Sequence, residues 1–304
     1  MRPNRLERGA LNVGAKRSGE GNPTAVAFRI AGIYAAFAAL WIVLSDKTAL
    51  MMFPDAESLG HFQFAKGTLF VGVTAILLFF SMRTYAASAM SAEAELKKAE
   101  GEIIARLARA AEYRDDETGN HVLRVGRYCA AIAGALGMSD KRCEVLERAA
   151  WMHDLGKIGI PDSIMLKSGP LEPDERTLMQ RHSKIGADLL AGGSTPVVRL
   201  AESVALTHHE RWDGSGYPKG LAGEAIPIEG RICAVADVFD ALTSARRYKA
   251  GWSLEDSVAE IRAQSGRQFD PMVVEAFLSV LPMIEAIRGE LHDADDAFKG
   301  RYAA

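Results

Sequence analysis

The sequence predicts an all-α protein in which two membrane-spanning helices precede a helical bundle. Two apolar stretches of about 20 residues lie before residue 83, the length that a helix needs to cross a bilayer. Beyond residue 120, apolar residues recur at steps of three and four, as in Val125, Cys129, Ile132 and Leu136. No sustained two-residue alternation and no internal repeat interrupts this helical pattern.

The two apolar stretches run from Ala25 to Leu44 and from Phe62 to Met82. Basic residues precede the first stretch, whereas the connecting loop, 45–61, is acidic, so the positive-inside rule predicts both termini in the cytoplasm. A cleaved signal peptide is the competing interpretation, but the long polar leader and the missing small-residue cleavage pattern argue against it. The predicted units are a basic tail at 1–23 and a transmembrane pair at 24–83.

A linker helix is predicted at 84–112, because this segment is rich in Ala, Glu, Lys and Leu and contains no proline. Its apolar residues indicate a weak pairing face, so a parallel homodimer and a solvated linker both remain open. These residues are Met90, Ala94, Ile103, Leu107 and Ala110.

Helix ends are marked by residues with known capping preferences. Gly137 is expected to end one helix and Ser139 to cap the next, while Pro173 fits a first helical turn. Asp270 and Pro271 form an N-cap followed by proline at the first helical position. Glycines and prolines crowd the segment between residues 209 and 231, which predicts a structured loop.

Charge and cysteine content exclude several classes of function. The net charge is −3, and residues 1–29 hold six basic and two acidic side chains, so the remaining chain carries −7. Such a balance argues against a nucleic-acid polymer as partner. Three widely spaced cysteines predict reduced core thiols rather than disulfides, namely Cys129, Cys143 and Cys233.

Five of the seven histidines form an ordered series with two aspartates. Imidazoles and carboxylates together suit divalent transition metals. Seven such groups are too many for one four-coordinate ion, so two ions sharing a carboxylate are the simplest interpretation. Paired metals indicate phosphate-ester hydrolysis, in which they activate water and stabilise the leaving oxygen. The series is His121, His153, Asp154, His182, His208, His209 and Asp237, while His61 and His292 are predicted to be surface residues.

The adjacent pair His153 and Asp154 could address two ions if the carboxylate bridges them. Lys157 lies three residues after Asp154 on the same helical face, where its ammonium could hold a phosphate oxygen. A capped, solvated helix end is the structural alternative for an isolated His-Asp pair. The four other histidines and the neighbouring Gly156 and Lys157 favour the metal site.

The run His153-Asp154-Leu155-Gly156-Lys157-Ile158 resembles the HD superfamily of metal-dependent phosphohydrolases. The run from His208 to Pro218 resembles the HD-GYP subfamily, whose members hydrolyse cyclic di-GMP. Further matches are 117–121, 231–232, 236–242 and 269–271. The resemblance implies an HD-type helical bundle as the catalytic domain at 103–288 of a bacterial protein, followed by a C-terminal tail at 289–304. The membrane part offers no comparable signature, and attachment to the inner membrane is predicted from the two apolar stretches alone.

The resemblance also implies the ligands of each ion. One ion would take His121, His153, Asp154 and Asp237. The second would share Asp154 and add three further ligands, His182, His208 and His209. Glu117 lies where a glutamate binds a third ion in some members, and helix-start capping is its alternative role. Mixed nitrogen and oxygen ligands favour Fe or Mn.

Phosphate contacts map by resemblance onto Lys157, Arg246 and Lys249. Asp240 is expected to orient a ligand or accept a proton, with a cap or a pair with Arg246 as the alternative. Tyr217 could pack the loop or stack on guanine, and the same alternatives hold for Trp212. The sequence departs from the family pattern on either side of Arg246, where Ala245 and Arg247 replace the usual Asp and Pro.

The resulting hypothesis is a membrane-anchored phosphodiesterase that opens cyclic di-GMP to pGpG, with a second cut to GMP left open. Two alternatives remain. The chain could be a catalytically weak receptor for a cyclic dinucleotide, or an HD phosphohydrolase acting on another nucleotide. Because the external loop is too short for a ligand-binding domain, any signal is expected through the membrane, a protein partner or dimer rearrangement.

Overall fold

The computed structural model describes residues 23–112, 120–244 and 251–291. In these ranges the chain forms eleven α-helices and two short 3-10 helices, without a β-strand, so the predicted all-α class is confirmed. The predicted tails at 1–23 and 289–304 lie mostly outside the described residues. So do Glu117, Arg246, Lys249 and His292.

The chain divides into two compact units, residues 1–90 and 91–304. In the first unit, α1 (Pro23–Met52) continues well past the predicted end of the first apolar stretch, and α2 (Ala56–Glu112) begins after only three residues. The predicted loop at 45–61 is therefore wrong in extent, because both helices continue through its polar residues. An ion pair between Asp46 and Lys66 joins the two helices in this segment.

Aromatic contacts also hold α1 against α2. The ring of Phe70 lies 6.0 Å from Trp41 and 6.3 Å from Phe37, measured between ring centroids. By length and composition both helices could cross a membrane. Most of their large apolar side chains are exposed, as is expected of surfaces that face lipid.

In its described residues, the second unit contains the C-terminal part of α2 and nine further α-helices. Helix α3 packs against α4 and α8, α6 packs against α7 and a 3-10 turn at Leu155–Gly159, and α7 lies beside both α4 and α8. The helices are α3 (His121–Ala135), α4 (Asp140–Ala150), α5 (Asp162–Met165), α6 (Pro173–Leu190), α7 (Pro196–Thr207), α8 (Ile228–Thr243), α9 (Leu254–Ala263), α10 (Pro271–Ser279) and α11 (Leu281–Glu290).

The core of this unit is built from the predicted helical periodicity. Val125, Cys129 and Ile132 of α3 are fully buried, and they share a cluster with Phe239 of α8 and Phe277 of α10. The rings of Phe239 and Phe277 are in edge contact at 5.0 Å. Burial of such side chains stabilises the bundle by about 1.5–3 kcal/mol each, so α3 and α8 are held firmly where they carry site residues.

Most predicted helix ends agree with the structure. Asp270 caps α10 by accepting a hydrogen bond from the Met272 amide at 2.8 Å, with Pro271 at the first helical position. Pro173 begins α6 as predicted, with a reciprocal cap from Glu172 and Glu175. Ser139 precedes α4, but its side chain makes no capping hydrogen bond. The cysteines are free, as expected.

Candidate metal centre

The seven predicted ligands lie on five different helices or helix ends. His121 begins α3, His153 and Asp154 follow α4, His182 lies in α6, the two adjacent histidines follow α7, and Asp237 lies in α8. Five of the seven are buried, namely His121, His153, Asp154, His182 and His208. Residues up to 116 positions apart in sequence therefore meet in the interior of the bundle.

One group of ligand atoms surrounds a single oxygen of Asp154. Oδ1 of this carboxylate lies 3.2 Å from Nε2 of His182 and 3.4 Å from Nε2 of His208. His209 joins them, and the ligand atoms of all four residues lie within 4.8 Å of one another. These separations suit one ion, because donor atoms about 2.1 Å from a shared metal lie about 3.0–4.2 Å apart.

A second group forms on the other side of Asp154. Its Oδ2 lies 3.3 Å from Nε2 of His153. Oδ1 of Asp237 lies 3.5 Å from Nε2 of His121 and 3.7 Å from Nε2 of His153. Glu112, His121 and His153 also offer ligand atoms within 4.8 Å of one another. The two oxygens of Asp154 therefore face two different sets of imidazoles.

Hydrogen bonds on the far ring nitrogen orient three of the imidazoles. Nδ1 of His153 lies 2.9 Å from the Ala150 carbonyl, and Nδ1 of His182 lies 2.7 Å from the Met179 carbonyl. Nδ1 of His208 is 3.1 Å from two carbonyls of α7. Because a carbonyl only accepts, each Nδ1 carries the proton and each Nε2 presents a lone pair to the cluster.

The lone pairs directed at the cluster fit a bound cation. Nε2 of His153, Nε2 of His208 and Oδ1 of Asp154 are buried, and none has a hydrogen-bond partner among the residues that the structure describes. Buried acceptors left in this way cost free energy unless something satisfies them. Mixed imidazole and carboxylate ligands suit a divalent transition metal, so the residues present fit such an ion.

The charges in the cluster also favour a cation. Burial lowers the pKa of His153, but the carboxylates of Asp154 and Asp237 outweigh it and raise the pKa to about 10. Without a cation, Nε2 would therefore take up a proton, which a bound metal ion would displace. Burial opposes ionisation of Asp154 too, yet Lys157 and His153 hold its pKa well below the usual range. Burial and the neighbouring imidazoles depress the pKa of His209, which keeps its ring neutral and able to bind a metal.

Two predicted residues have partners that the sequence did not reveal. Lys157, the predicted phosphate contact, places Nζ 2.8 Å from Oδ2 of Asp154. Asp240 is almost completely buried and lies 2.8 Å from Nδ1 of His121. Its two oxygens accept hydrogen bonds from Arg124 at 2.7 and 2.8 Å, while the alternative partner Arg246 lies outside the described residues.

Glycine allows the close approach that assembles the first group. A Cβ on Gly156 would lie 1.9 Å from the carbonyl oxygen of His182 and 2.4 Å from the amide nitrogen of Gly186. Both obstacles are backbone atoms of α6, which cannot move aside without shifting the helix. The glycine after Asp154 therefore lets the 3-10 turn lie directly against the helix that carries His182.

The loop after His209 covers the first group. The Tyr217 ring stacks on the His209 ring at 4.8 Å between centroids and meets the His182 ring edge-on at 6.3 Å. Glu210 anchors the loop by accepting hydrogen bonds from the amides of Lys219 and Leu221. This geometry matches the packing alternative for Tyr217, while its contact with guanine stays a prediction.

Trp212 takes part in the attachment of this loop to the rest of the unit. Its amide donates to the Gln268 carbonyl at 3.0 Å, and its ring lies 5.7 Å from the guanidinium carbon of Arg231. Arg231 in turn pairs with Asp270 at 2.6 Å. These contacts match the packing role of Trp212, while stacking on guanine stays a prediction.

Comparison with known proteins places this unit in a family. Residues 104–273 match the model of the HD domain. The chain belongs to the HD domain family. The match covers more than half of the chain and contains every predicted ligand and phosphate contact.

Three relatives are similar to this HD domain and the residues around it. The chain is 48% identical over 200 residues to the cyclic di-GMP phosphodiesterase response regulator RpfG of Xanthomonas campestris pv. campestris, covering 66% of this chain and 53% of the relative. It is 46% identical over 199 residues to a cyclic di-GMP phosphodiesterase of Thermotoga maritima, covering 66% and 54%.

A third relative carries a different substrate name. The chain is 43% identical over 199 residues to the 3'3'-cGAMP-specific phosphodiesterase 2 of Vibrio cholerae, covering 66% of this chain and 38% of the relative. This chain thus spans about half, or less, of the length of these three relatives.

Sequence reasoning missed two residues of this HD domain that lie close to the cluster. Glu112 was assigned to the linker helix, because its position nine residues before His121 gave no local signal of a metal ligand. Arg124 lies three residues after His121 in α3, on the same helical face, which was the available clue to a shared role. Neither residue has a metal-ligand spacing that a sequence pattern could identify.

Proposed function

We propose that the chain is a metal-dependent phosphodiesterase of the HD-GYP subfamily that hydrolyses cyclic di-GMP to pGpG. The observation that carries the proposal is the position of Asp154, whose two carboxylate oxygens face separate groups of imidazoles 3.2–3.4 Å away. The names of two relatives and the Gly-Tyr-Pro loop against His209 support the substrate. The second cut to GMP stays open.

In this proposal each ion has a defined set of ligands. His121, His153, Asp154 and Asp237 hold one ion, and the remaining histidines share Asp154 to hold the other. Divalent ions in such a site lower the pKa of water and neutralise charge on phosphate oxygens. Fe or Mn remains the proposed metal, since both accept mixed imidazole and carboxylate ligands. A third ion would depend on Glu117.

The chain's own residues bind and orient the phosphate. Lys157 holds its ammonium against Asp154, so the same cation is placed to contact a phosphate oxygen beside the shared carboxylate. Arg246 and Lys249 are proposed to contact the remaining phosphate oxygens. Asp240 fixes the ring of His121 and is proposed as a positioning residue rather than as a proton acceptor, because both its oxygens are already engaged.

Membrane attachment is part of the proposal. Two helices that could cross a bilayer precede the HD domain, and the basic segment before them favours a cytoplasmic N-terminus. We place residues 24–83 in the bacterial inner membrane, 84–112 in a linker helix and 103–288 in a cytoplasmic catalytic domain. A homodimer through the linker helix and a signalling protein as partner belong to the same proposal.

The experiment is product analysis with the full-length protein, purified in detergent under anaerobic conditions and loaded with Mn²⁺ or Fe²⁺. Cyclic di-GMP should be converted to pGpG. Asp154→Asn should remove turnover and at least one bound ion, because it removes the charge that both groups of imidazoles share. Asp188→Asn is the matched control, since Asp188 is an exposed residue of α6 that pairs only with Lys184 among described residues.

A different cyclic dinucleotide is the second candidate substrate, because one relative is named for 3'3'-cGAMP. The same assay with 3'3'-cGAMP separates the two. Faster conversion of 3'3'-cGAMP would replace cyclic di-GMP as the substrate. Binding of cyclic di-GMP without any conversion by metal-loaded protein would instead make the chain a receptor.

A further inference from the structure

Glu112 is a buried carboxylate at the edge of the metal centre, outside the predicted ligand set. It is the last residue of α2, and only 2% of its surface is exposed. Its Oε1 lies 3.9 Å from Nε2 of His121. Its ligand atoms also lie within 4.8 Å of those of both His121 and His153.

These separations fit a single coordination sphere. Donor atoms about 2.1 Å from one ion lie about 3.0 Å apart at right angles and about 4.2 Å apart on opposite sides. The distances from His121 Nε2 to Glu112 Oε1 and to Asp237 Oδ1, 3.9 and 3.5 Å, both fall in this interval. So does the 3.7 Å between His153 Nε2 and Asp237 Oδ1.

An independent observation indicates that a ligand belongs in this space. Nε2 of His153 is completely buried, is directed into the group, and has no hydrogen-bond partner in the described part of the chain. Its far nitrogen is already occupied by the Ala150 carbonyl, so the ring cannot satisfy Nε2 by turning over. A cation between His153, His121 and the carboxylates would satisfy it.

We propose that Glu112 is a ligand of the ion held by His121 and His153. This inference rests on the proposed metal-dependent function and adds a fifth protein ligand to that ion. An additional anionic oxygen favours ions that accept more than four ligands, such as Mn²⁺ or Fe²⁺, over tetrahedral Zn²⁺. It also attaches the end of α2 to the metal centre through a coordinate bond.

The test compares Glu112→Gln with Glu102→Gln in the full-length protein. Gln keeps the length of the side chain but lacks its charge, and Glu102 is an exposed residue of the same helix. Metal-free protein is titrated with Mn²⁺, bound metal is measured by mass spectrometry, and thermal unfolding is recorded with and without Mn²⁺. We expect E112Q to lose about one Mn²⁺ per chain, or to bind it at least tenfold more weakly, while E102Q behaves as the parent.

The stabilisation by Mn²⁺ distinguishes a ligand from a structural residue. If Glu112 is a ligand, Mn²⁺ should raise the melting temperature of E112Q by less than that of the parent, because an ion that binds more weakly stabilises the folded state less. Unchanged Mn²⁺ binding together with a lower metal-free melting temperature would overturn the inference. If E112Q does not fold, Glu112→Ala replaces it, and normal Mn²⁺ affinity in that variant, which has no donor atom, would equally overturn the inference.

The two levels of proposal fail in different ways. A parent protein that binds no Mn²⁺ or Fe²⁺ contradicts the proposed function itself, whatever Glu112 does. A parent that binds metal and cleaves cyclic di-GMP, with unchanged binding in E112Q, contradicts only the role of Glu112.

Discussion

Nδ1 of His121 lies 2.8 Å from Oδ2 of Asp240, and both side chains are buried. Arg124 holds the same carboxylate through two hydrogen bonds and also donates to Ser244. The acid therefore fixes the ring of His121 and leaves Nε2 directed at the metal centre. Burial opposes ionisation of Asp240, but Arg124 and His121 outweigh it and depress its pKa.

Asp240→Asn should weaken metal binding without removing a ligand. The Asn side chain can still accept a hydrogen bond from Nδ1 of His121. It lacks the negative charge that strengthens Nε2 of that imidazole as a metal ligand and that balances the charge of Arg124. Loss of such an orienting contact costs about 10–100-fold in metal affinity. Titration of metal-free protein with Mn²⁺ measures this. Affinity equal to that of the parent would show that Asp240 only stabilises the fold.

Gly156→Ala should disturb the fold and the first group of ligands together. The added Cβ would meet the His182 carbonyl at 1.9 Å, so the turn after Asp154 must separate from α6. Overpacking of this kind costs about 1–3 kcal/mol. Thermal unfolding and bound metal should both decrease. Gly134→Ala is the control, because nothing lies within 4 Å of its Cβ and alanine favours the helix interior.

Substitutions of Tyr217 separate packing from substrate stacking. Its ring covers His209 at 4.8 Å, so Tyr217→Ala should expose that imidazole and accelerate loss of metal to a chelator. Tyr217→Phe keeps the ring and should retain metal like the parent. Stopped-flow release of Mn²⁺ to a chelator gives the rates. Normal metal retention in Tyr217→Ala, combined with a raised KM for cyclic di-GMP, would favour stacking on guanine instead.

Glu147→Gln should stabilise the protein in a pH-dependent manner. Burial raises the pKa of this carboxyl on α4, although Arg127 and Arg148 oppose the shift. Since the folded-state pKa is above the unfolded one, folding favours the protonated acid, and that contribution to stability is lost as pH rises. The melting temperature of the Gln variant should exceed that of the parent at pH 8 and approach it at pH 5.

The control for this prediction is Glu285→Gln, an exposed residue of α11. Its effect on the melting temperature should not change between the two pH values. A stabilisation by Glu147→Gln that is equal at pH 5 and pH 8 would contradict the assigned role of ionisation.

The sequence alone was sufficient for features that depend on neighbouring residues. Apolar steps of three and four residues predicted the helices because a helix repeats every 3.6 residues. Asp270 and Pro271 marked a helix start because capping involves atoms within one turn. The histidine series indicated a metal site because few other functions need so many imidazoles beside aspartates.

The tertiary structure alone decided which distant groups meet. Asp240 pairs with Arg124, 116 residues earlier in the chain, a partner that the sequence did not suggest. Glu112, at the end of the predicted linker helix, lies with its ligand atoms within 4.8 Å of those of His121 and His153. Such contacts depend on how helices pack across the bundle, and no periodicity or cap encodes the distance between two residues on different helices.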